Sequence, residues 1–381
     1  MICLREVYLD NSATTKVCDE AAKKVLEIMT EKYGNPSSLH SKGIEAQHEL
    51  EDARKACAGL LSADSEEIYF TSGGTESNNT ALFGAARALK RRGNRIITTA
   101  VEHSSVIEAA AELEKNGFEV IYLEPDKSGR ISIDALKEAV NNKTILVSIM
   151  AVNNETGAVQ PIENAGKIIH RAAPDALFHV DFVQGFGKML LKPKKLGIDL
   201  LSASSHKIHG PKGAGILYIR KGARIIPLHY GGEQQKKIRP GTEPVVAACG
   251  MGAAVNALPD MQSETAYIKN INMYLREKLS GIKNVTINSD EECLPYILNF
   301  SVVGIRSETM LHYLEQRNIF VSSGSACAKG KKSHVLKAMG LTAQQSDSAV
   351  RVSFSRFNSR HDADILVNEI LNANNTLARS V

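Results

Sequence analysis

Short apolar runs and helical spacings of apolar residues alternate along the greater part of this chain. Apolar residues recur every three or four positions over Asp19–Thr30, which is the spacing of one helix face. Runs such as Arg95–Thr99 have instead the length of buried strands. The patterns predict helices at 19–30, 44–61, 76–90, 105–116, 133–140 and 162–172, and strands at 7–10, 68–70, 95–99, 120–123, 144–151, 177–180 and 200–203. Strand and helix in turn predict an α/β fold with a parallel-rich sheet and helices on both faces.

The pattern changes near Leu258, where a different arrangement begins. A long helix is predicted at 263–279, strands near Val285 and Leu298, a helix at 308–317 and a last helix after Arg360. We interpret this as a smaller α+β domain that starts near residue 259. A chain of 381 residues is also too long for one ordinary domain, which suggests two domains, or one large domain with an appendage.

Composition and charge exclude several classes of protein. The hydrophobic content of 43% and the charged content of 23% are typical of a globular protein. The net charge of +4 is small and the lysines are scattered, so we predict no direct nucleic-acid partner. The N-terminus lacks the apolar run of a signal peptide, and the most apolar stretch, 245–255, is too short to cross a membrane. Six separated cysteines without a CxxC pattern predict neither zinc nor disulfides, and therefore a cytoplasmic protein with reduced thiols.

Polar residues suited to anion binding follow the strand predicted at 68–70. The sequence Ser72-Gly73-Gly74-Thr75 opens the next helix, and free backbone N–H groups at a helix N-terminus bind anions. Glycine would let a phosphate come close. No Gly-Lys-Ser/Thr follows, which argues against a P-loop and ATP. The alternative is a plain strand-to-helix turn.

Three further strand ends carry an imidazole, a carboxylate and an amine. His103 follows the strand at 95–99 and could stack or transfer protons, or be an ordinary exposed histidine. Asp181 ends the strand at 177–180 and could pair with a protonated pyridine nitrogen, or cap a helix. Lys207 ends the strand at 200–203 and could form a Schiff base with an aldehyde cofactor, or be a surface lysine in a Gly/Pro loop. Ligands of such sheets bind beyond the carboxyl ends of the strands. Together the four strand ends predict a site for pyridoxal 5'-phosphate (PLP).

Longer segments carry a family resemblance that runs nearly end to end. They are YLDNSATT, YGNPSSLH, TSGGTES, EHSS, VNNETG, HVDFVQ, SSHKIHGPKG, RPGTEP, SSGSAC and RVSFSRF. The sequence resembles the cysteine desulfurases of NifS/IscS type, within the fold-type I, class V aminotransferase-like PLP enzymes. The resemblance implies a seven-stranded sheet in a large PLP-binding domain at 15–258, and a small domain formed by 1–14 and 259–381.

The resemblance also implies a role for each residue that matches a family motif. Lys207 would hold PLP as a Schiff base, and His103 would stack on its ring and move protons. Asp181 would pair with the pyridinium nitrogen and Gln184 with the phenolic oxygen. The phosphate would be held by four residues of the same subunit and, in a homodimer, by one residue of the neighbouring subunit: Gly74, Thr75, Ser204 and His206, with Thr242 from the neighbour.

Substrate binding and sulfur transfer are implied in the same way. Asn154 would contact cofactor and substrate, and Arg351 would grip the substrate carboxylate with two parallel hydrogen bonds. Cys327 would take sulfur from L-cysteine, leaving L-alanine and a persulfide for a sulfur-acceptor protein such as an iron–sulfur scaffold. The segment after this cysteine, 328–334, is shorter and more basic than in the long-loop members of the family. The alternatives are a selenocysteine or cysteine-sulfinate lyase, and a non-catalytic sulfur-carrier scaffold.

Overall fold

The fold is taken from a computed structural model, which describes residues 5–323 and 333–377. The strands of this part of the chain are β1 Val7–Tyr8, β2 Ile68–Thr71, β3 Arg95–Thr99, β4 Glu119–Leu123, β5 Thr144–Met150, β6 Leu177–Asp181, β7 Leu200–Ser204, β8 Gly215–Ile219, β9 Val285–Ile287, β10 Ile297–Val302, β11 Ile319–Phe320, β12 Ser322–Ser323 and β13 Ala349–Ser353.

The helices are α1 Asp19–Thr30, α2 Ser41–Leu61, α3 Gly74–Leu89, α4 Ser104–Lys115, α5 Ile133–Ala139, α6 Ile162–Ala172, α7 Pro193–Leu196, α8 Val245–Asn256, α9 Met261–Ser280, α10 Ser307–Glu315, α11 His334–Ala338, α12 Ala343–Asp347 and α13 Arg360–Thr376. None of these helices combines the length and the apolar character that a membrane-spanning helix needs.

A seven-stranded sheet in the order β2-β8-β7-β6-β5-β3-β4 forms the centre of the molecule. The strands β4, β3, β5, β6 and β7 run parallel, and every residue of β5, β6 and β7 is buried, as expected for strands covered by helices on both faces. The predicted fold class is therefore confirmed. Strand β8 was absent from the predicted pattern: it follows β7 with only a short 3-10 turn at 205–207 between them, and it runs antiparallel to both β7 and β2.

A four-stranded antiparallel sheet in the order β12-β13-β10-β9 lies in the C-terminal part of the chain. Helices α9, α10 and α13 pack together beside it. The N-terminal strand β1 pairs in parallel with β11, so that the first described residues join this C-terminal part. The division into domains at 15–258, and at 1–14 with 259–381, stays a prediction.

Candidate active site

A cavity of about 260 Å³ opens at the carboxyl ends of β5, β6 and β7, where the first turns of α3 and α4 also begin. Its size is near the lower end of small-molecule pockets, roughly 300–1,000 Å³. Ten residues of the sequence prediction line it: Gly74, Thr75, His103, Asn154, Asp181, Gln184, Ser204, His206, Lys207 and Arg351. A larger cleft of about 1020 Å³, beside the N-terminal residues and Phe357, contains none of these ten.

Lys207 lies at the end of a short turn that follows β7, and it is half-buried. Its Nζ donates hydrogen bonds to the backbone oxygens of Ser12 at 2.5 Å and Ala13 at 2.7 Å. The amine is thus held at the cavity by the N-terminal segment, which lies some 190 residues away in sequence. A primary amine in such a pocket can attack an aldehyde.

Asp181 ends β6 and its side chain is buried against the cavity. Its Oδ2 accepts a hydrogen bond from Asn78 Nδ2 at 2.7 Å, and its Oδ1 accepts one from the backbone N–H of Val183 at 3.0 Å. The carboxylate therefore accepts within a turn that is not helical, so it is not the helix cap of the alternative interpretation, and it also faces the pocket. Both donors are neutral groups, so a cationic ring nitrogen in the cavity would gain a buried counter-charge.

His103 is the N-cap residue of α4. Its Nδ1 accepts from the backbone N–H of Ser105 at 3.1 Å and lies 2.8 Å from Ser105 Oγ. Burial lowers the pKa of His103, while the charge of Asp181 acts in the opposite direction. A neutral imidazole with Nδ1 accepting carries its proton on Nε2, where it can be given or taken.

The turn between β2 and α3 lies where an anion cradle was predicted, and its anion-binding role stays a prediction. Gly74 and Thr75 are the first two residues of α3. Their backbone N–H groups have no acceptor within the helix, because they lie in its first turn. A Cβ atom added at Gly74 would lie 2.7 Å from Val183 Cγ2, so glycine is required for this close approach. Ser204 and His206 line the same cavity. Burial, helped by nearby lysines, lowers the pKa of His206 to about 4, so this ring is neutral near pH 7.

Arg351 lies on β13 and only 3% of its side chain is exposed. Its Nη1 donates to the backbone oxygen of Asn154 at 3.1 Å, and its Nη2 pairs with Asp10 Oδ1 at 2.9 Å. Its Nε has no hydrogen-bond partner among residues 5–323 and 333–377. The guanidinium therefore retains donors that suit a carboxylate.

These residues fit PLP. Within the described part of the chain, two buried oxygens of cavity-lining amides, Gln184 Oε1 and Asn78 Oδ1, have no hydrogen-bond partner. Gln184 Nε2 donates to the Ser12 backbone oxygen at 2.9 Å. Unsatisfied buried amides are rare in proteins and are expected where a polar ligand binds. The cavity thus offers an amine, a carboxylate, polar amides and an anion cradle, which are the groups that an aldehyde, a pyridine nitrogen, a phenolic oxygen and a phosphate require.

One predicted site residue of the described part of the chain does not line this cavity. Thr242 is exposed and lines a separate pocket of about 640 Å³ with Glu76, His229 and Arg239. Cys327 lies outside the described residues, as do Lys329, Lys331 and Lys332 of the basic segment. The described residues on either side of 324–332 lie next to the cavity walls: Ser323 pairs with Val350, beside Arg351, and Ser333 Oγ donates to Glu155 Oε2 at 2.5 Å, beside Asn154.

Some residues at the site were missed by sequence reasoning. Asn78 holds Asp181, and the only sequence signal for it was a polar residue one turn into α3. Asp10 pairs with Arg351, a contact between residues 341 positions apart. Glu102 is completely buried next to His103, and its Oε1 accepts from the Met150 backbone N–H at 2.8 Å. Ser12, Ala13, Ser105, Met150, Val152 and Val183 complete the cavity wall.

Comparison with known proteins places this chain in a family. The model of the aminotransferase class-V family matches residues 7–366. The chain belongs to this family. Among its members, the cysteine desulfurase IscS of Dictyoglomus turgidum is 42% identical over 94% of this chain and 92% of its own length. A NifS/IcsS protein homolog of Lactobacillus delbrueckii subsp. bulgaricus is 43% identical over 94% of each chain. The predicted NifS/IscS type is thereby confirmed.

Solved structures of class V members agree with the fold. A NifS-like protein superposes with a TM-score of 0.93 at 37% identity, covering 98% of this chain and 100% of that one. SspA in complex with cysteine superposes with a TM-score of 0.82 at 32% identity, covering 93% of this chain and 100% of SspA. Both likenesses cover nearly the whole chain.

Proposed function

We propose that this protein is a PLP-dependent cysteine desulfurase, which converts L-cysteine to L-alanine and transfers the sulfur to Cys327. The observation that carries the proposal is the single cavity in which an amine, a carboxylate, an imidazole and a buried guanidinium meet. Similarity to NifS/IscS proteins over nearly the whole chain supports it. PLP, when bound, withdraws electrons from the substrate Cα.

The residues that line the cavity would have different roles, according to the chemistry of their side chains. Lys207 would hold the cofactor aldehyde and Asp181 its ring nitrogen, because these residues carry the amine and the carboxylate of the cavity. His103 would stack on the ring and move a proton at Nε2. The phosphate would contact Gly74 and Thr75, together with Ser204 and His206.

Substrate contacts would come from other residues that line the cavity. Arg351 would bind the substrate carboxylate, and Asn154 would lie beside it, with Gln184 facing the cofactor. The Cys327 thiolate would attack the substrate sulfur, so that the C–S bond breaks as the S–S bond forms. L-Cysteine and the thiol then give L-alanine and a persulfide, without any external oxidant or reductant. The positions of Ser323 and Ser333 beside the cavity support this assignment.

We further propose that the enzyme is a homodimer in which Thr242 contacts the phosphate in the neighbouring subunit. Its exposure, away from the cavity of its own subunit, supports a contact in trans. Four large apolar side chains in and after α1 are also exposed, and a second copy would cover them: Leu26 62%, Met29 59%, Tyr33 69% and Leu39 95%. The buried free thiols of Cys18, Cys57, Cys249 and Cys293 suit a reducing compartment such as the cytoplasm. The persulfide sulfur would pass to an acceptor protein such as an iron–sulfur scaffold.

Activity is tested with three substrates in parallel. The PLP-loaded protein is given L-cysteine, L-selenocysteine or L-cysteine sulfinate with a thiol reductant, and alanine is measured beside sulfide, selenide and sulfite. We expect alanine and sulfide from L-cysteine, and neither from the Lys207→Ala variant. Alanine from the selenium or sulfinate substrate alone would instead support a lyase, and a colourless protein that binds no PLP would support a non-catalytic scaffold.

The contact of Thr242 across the dimer is tested by complementation. Lys207→Ala and Thr242→Ala subunits are purified separately and as a co-expressed, doubly tagged heterodimer. One site of the heterodimer combines an intact Lys207 with an intact Thr242 from the neighbour, so its activity should exceed that of either parent. Activity no higher than the mean of the two parents would mean that Thr242 acts within its own subunit or not at all.

A further inference from the structure

Asp10 contacts the buried guanidinium of Arg351 from outside the cavity. Its Oδ1 lies 2.9 Å from Arg351 Nη2, and 20% of its side chain is exposed. Arg351 lines the cavity and Asp10 does not. Asp10 therefore acts on a molecule in the cavity through its direct partner Arg351, and its charge also interacts with that of Lys207.

Asp10 is itself fixed along the strand that carries Arg351. It pairs with Ser353 in an isolated parallel bridge, and the backbone N–H of Ser353 donates to the Leu9 oxygen at 2.7 Å. Ser353 lies two positions after Arg351 on β13. The residues that carry the carboxylate and the guanidinium are thus linked by backbone hydrogen bonds. This pairing fixes the two side chains close to each other.

The other edge of the guanidinium rests on an equally fixed turn. Arg351 Nη1 donates to the backbone oxygen of Asn154. This turn is held by the side chain of Asn153, whose Oδ1 accepts from the backbone N–H groups of Glu155 at 2.9 Å and Thr156 at 3.0 Å. Two of the five N–H groups of Arg351 are therefore held by protein oxygens, and Nε has no partner in the part of the chain that the structure describes.

We propose that Asp10 is a positioning residue, which holds the Arg351 guanidinium in the orientation that receives the carboxylate of the amino-acid substrate. This inference rests on the proposed function, because it takes Arg351 as the carboxylate-binding group. The remaining N–H donors of the guanidinium are available to the substrate. The planar guanidinium binds a carboxylate with two parallel hydrogen bonds only when the orientation of its plane is fixed.

Two physical effects make the contact useful. An arginine side chain has many rotamers, and a contact that fixes one of them before the substrate arrives lowers the cost of binding. A buried guanidinium also needs a counter-charge when no substrate is present, and Asp10 supplies it. Neither effect involves the reacting atoms. Loss of Asp10 should therefore weaken substrate binding and leave the chemical step largely unchanged.

The test compares variants of the PLP-loaded enzyme. We expect Asp10→Ala to raise the KM for L-cysteine and the Kd for L-alanine roughly tenfold, with kcat within about twofold of wild type. L-Alanine binding, measured by calorimetry, reports the carboxylate site without any sulfur chemistry. Asp10→Asn keeps an acceptor oxygen and should restore both constants to within roughly threefold of wild type. The matched control is Asp362→Ala, which removes an Arg–Asp pair at 2.8 Å, with Arg5, away from the cavity and should change neither constant.

Arg351→Lys separates failure of this inference from failure of the proposed function. If Arg351→Lys raises both constants and Asp10→Ala leaves them unchanged, only the role of Asp10 is overturned. The same holds if Asp10→Ala lowers kcat and PLP content while KM stays constant, because Asp10 would then be structural. If Arg351→Lys also leaves both constants unchanged, the carboxylate binds elsewhere, and both the inference and this part of the proposed function fail.

Discussion

Asp181 shows how one buried carboxylate can serve the local fold and a ligand together. It accepts from Asn78 and from the Val183 backbone while facing the cavity. We expect Asp181→Ala to retain PLP and to reduce alanine formation by roughly a hundredfold or more, because a ring nitrogen without a counter-charge is a weaker electron sink. Asn78→Ala should have a smaller effect, since it removes a neutral amide and leaves the Asp181 charge in place. Near-normal turnover in Asp181→Ala, with PLP content measured in parallel, would reduce Asp181 to a turn cap.

The burial of Glu102 leads us to predict that the free energy of unfolding depends on pH. Its carboxyl is fully buried, and burial raises its pKa from 4.5 to about 8, with the nearby charge of Asp181 adding to the shift. Folding therefore takes up a proton between these two values. The stabilisation from protonated Glu102 is complete below pH 4.5 and is lost as the pH rises toward 8, by up to about 1.4 kcal/mol per pH unit.

The Glu102→Gln variant tests this dependence, because glutamine has the same shape and cannot ionise. Unfolding free energies of both proteins are measured by chemical denaturation from about pH 5 to about pH 9 at one protein concentration. The variant should gain stability relative to wild type as the pH rises, and the gain should level off above about pH 8. A difference that does not change with pH would mean that Glu102 ionises normally in the folded protein.

At the scale of elements, helix α8 packs against α1 and α2 through small residues. A Cβ atom added at Gly252 of α8 would lie 2.6 Å from Ala53 Cα of α2, whereas one added at the exposed Gly59 of α2 would contact nothing within 4 Å. Gly252→Ala should lower the free energy of unfolding by roughly 1–3 kcal/mol through overpacking. Gly59→Ala should raise it by roughly 0.5–1 kcal/mol, because alanine restricts the unfolded chain. Equal effects of the two substitutions in denaturation experiments would contradict this account of the contact.

The spacing of apolar residues along the sequence identified the helices and strands that have one polar face or clear polar residues at their ends. Helices α1 and α6 and strand β3 have the predicted bounds. Helix α8 was recognised only as an apolar stretch, because a helix buried on most sides has no polar stripe to reveal it. Strand β8 was missed because the alternation of strand and helix breaks there, where two antiparallel neighbours follow one another.

The positions of site residues could be predicted from the sequence only where they follow from the order of the parallel strands. Parallel strands have their carboxyl ends at one edge, so the proximity of Asp181 and Lys207 could be predicted from the sequence. The residues that form hydrogen bonds or ion pairs with the site residues could not be predicted in this way. Asn78 lies 103 positions from Asp181, and Asp10 lies 341 positions from Arg351, and local patterns do not encode such contacts. The roles of individual residues came from the family resemblance and stay predictions.

For the whole molecule, we propose that sulfur leaves L-cysteine by transfer to a protein thiol. Cys327 is the predicted acceptor. Cys57 is the matched control, because it is completely buried in α2 and burial raises its pKa to about 12, so its thiol is unreactive near pH 7. Cys57→Ala should therefore leave desulfuration unchanged.

The most direct measurement is L-alanine formation from L-cysteine in wild type, Cys327→Ala and Cys57→Ala, with the absorption spectrum of PLP recorded in the same samples. We predict that Cys327→Ala binds PLP and responds spectrally to L-cysteine, because Lys207 and Arg351 are intact. Its alanine formation should fall to background, since the predicted acceptor thiol is gone and the buried thiols, such as that of Cys57, do not replace it. Alanine formation by Cys327→Ala at the wild-type rate would contradict the account.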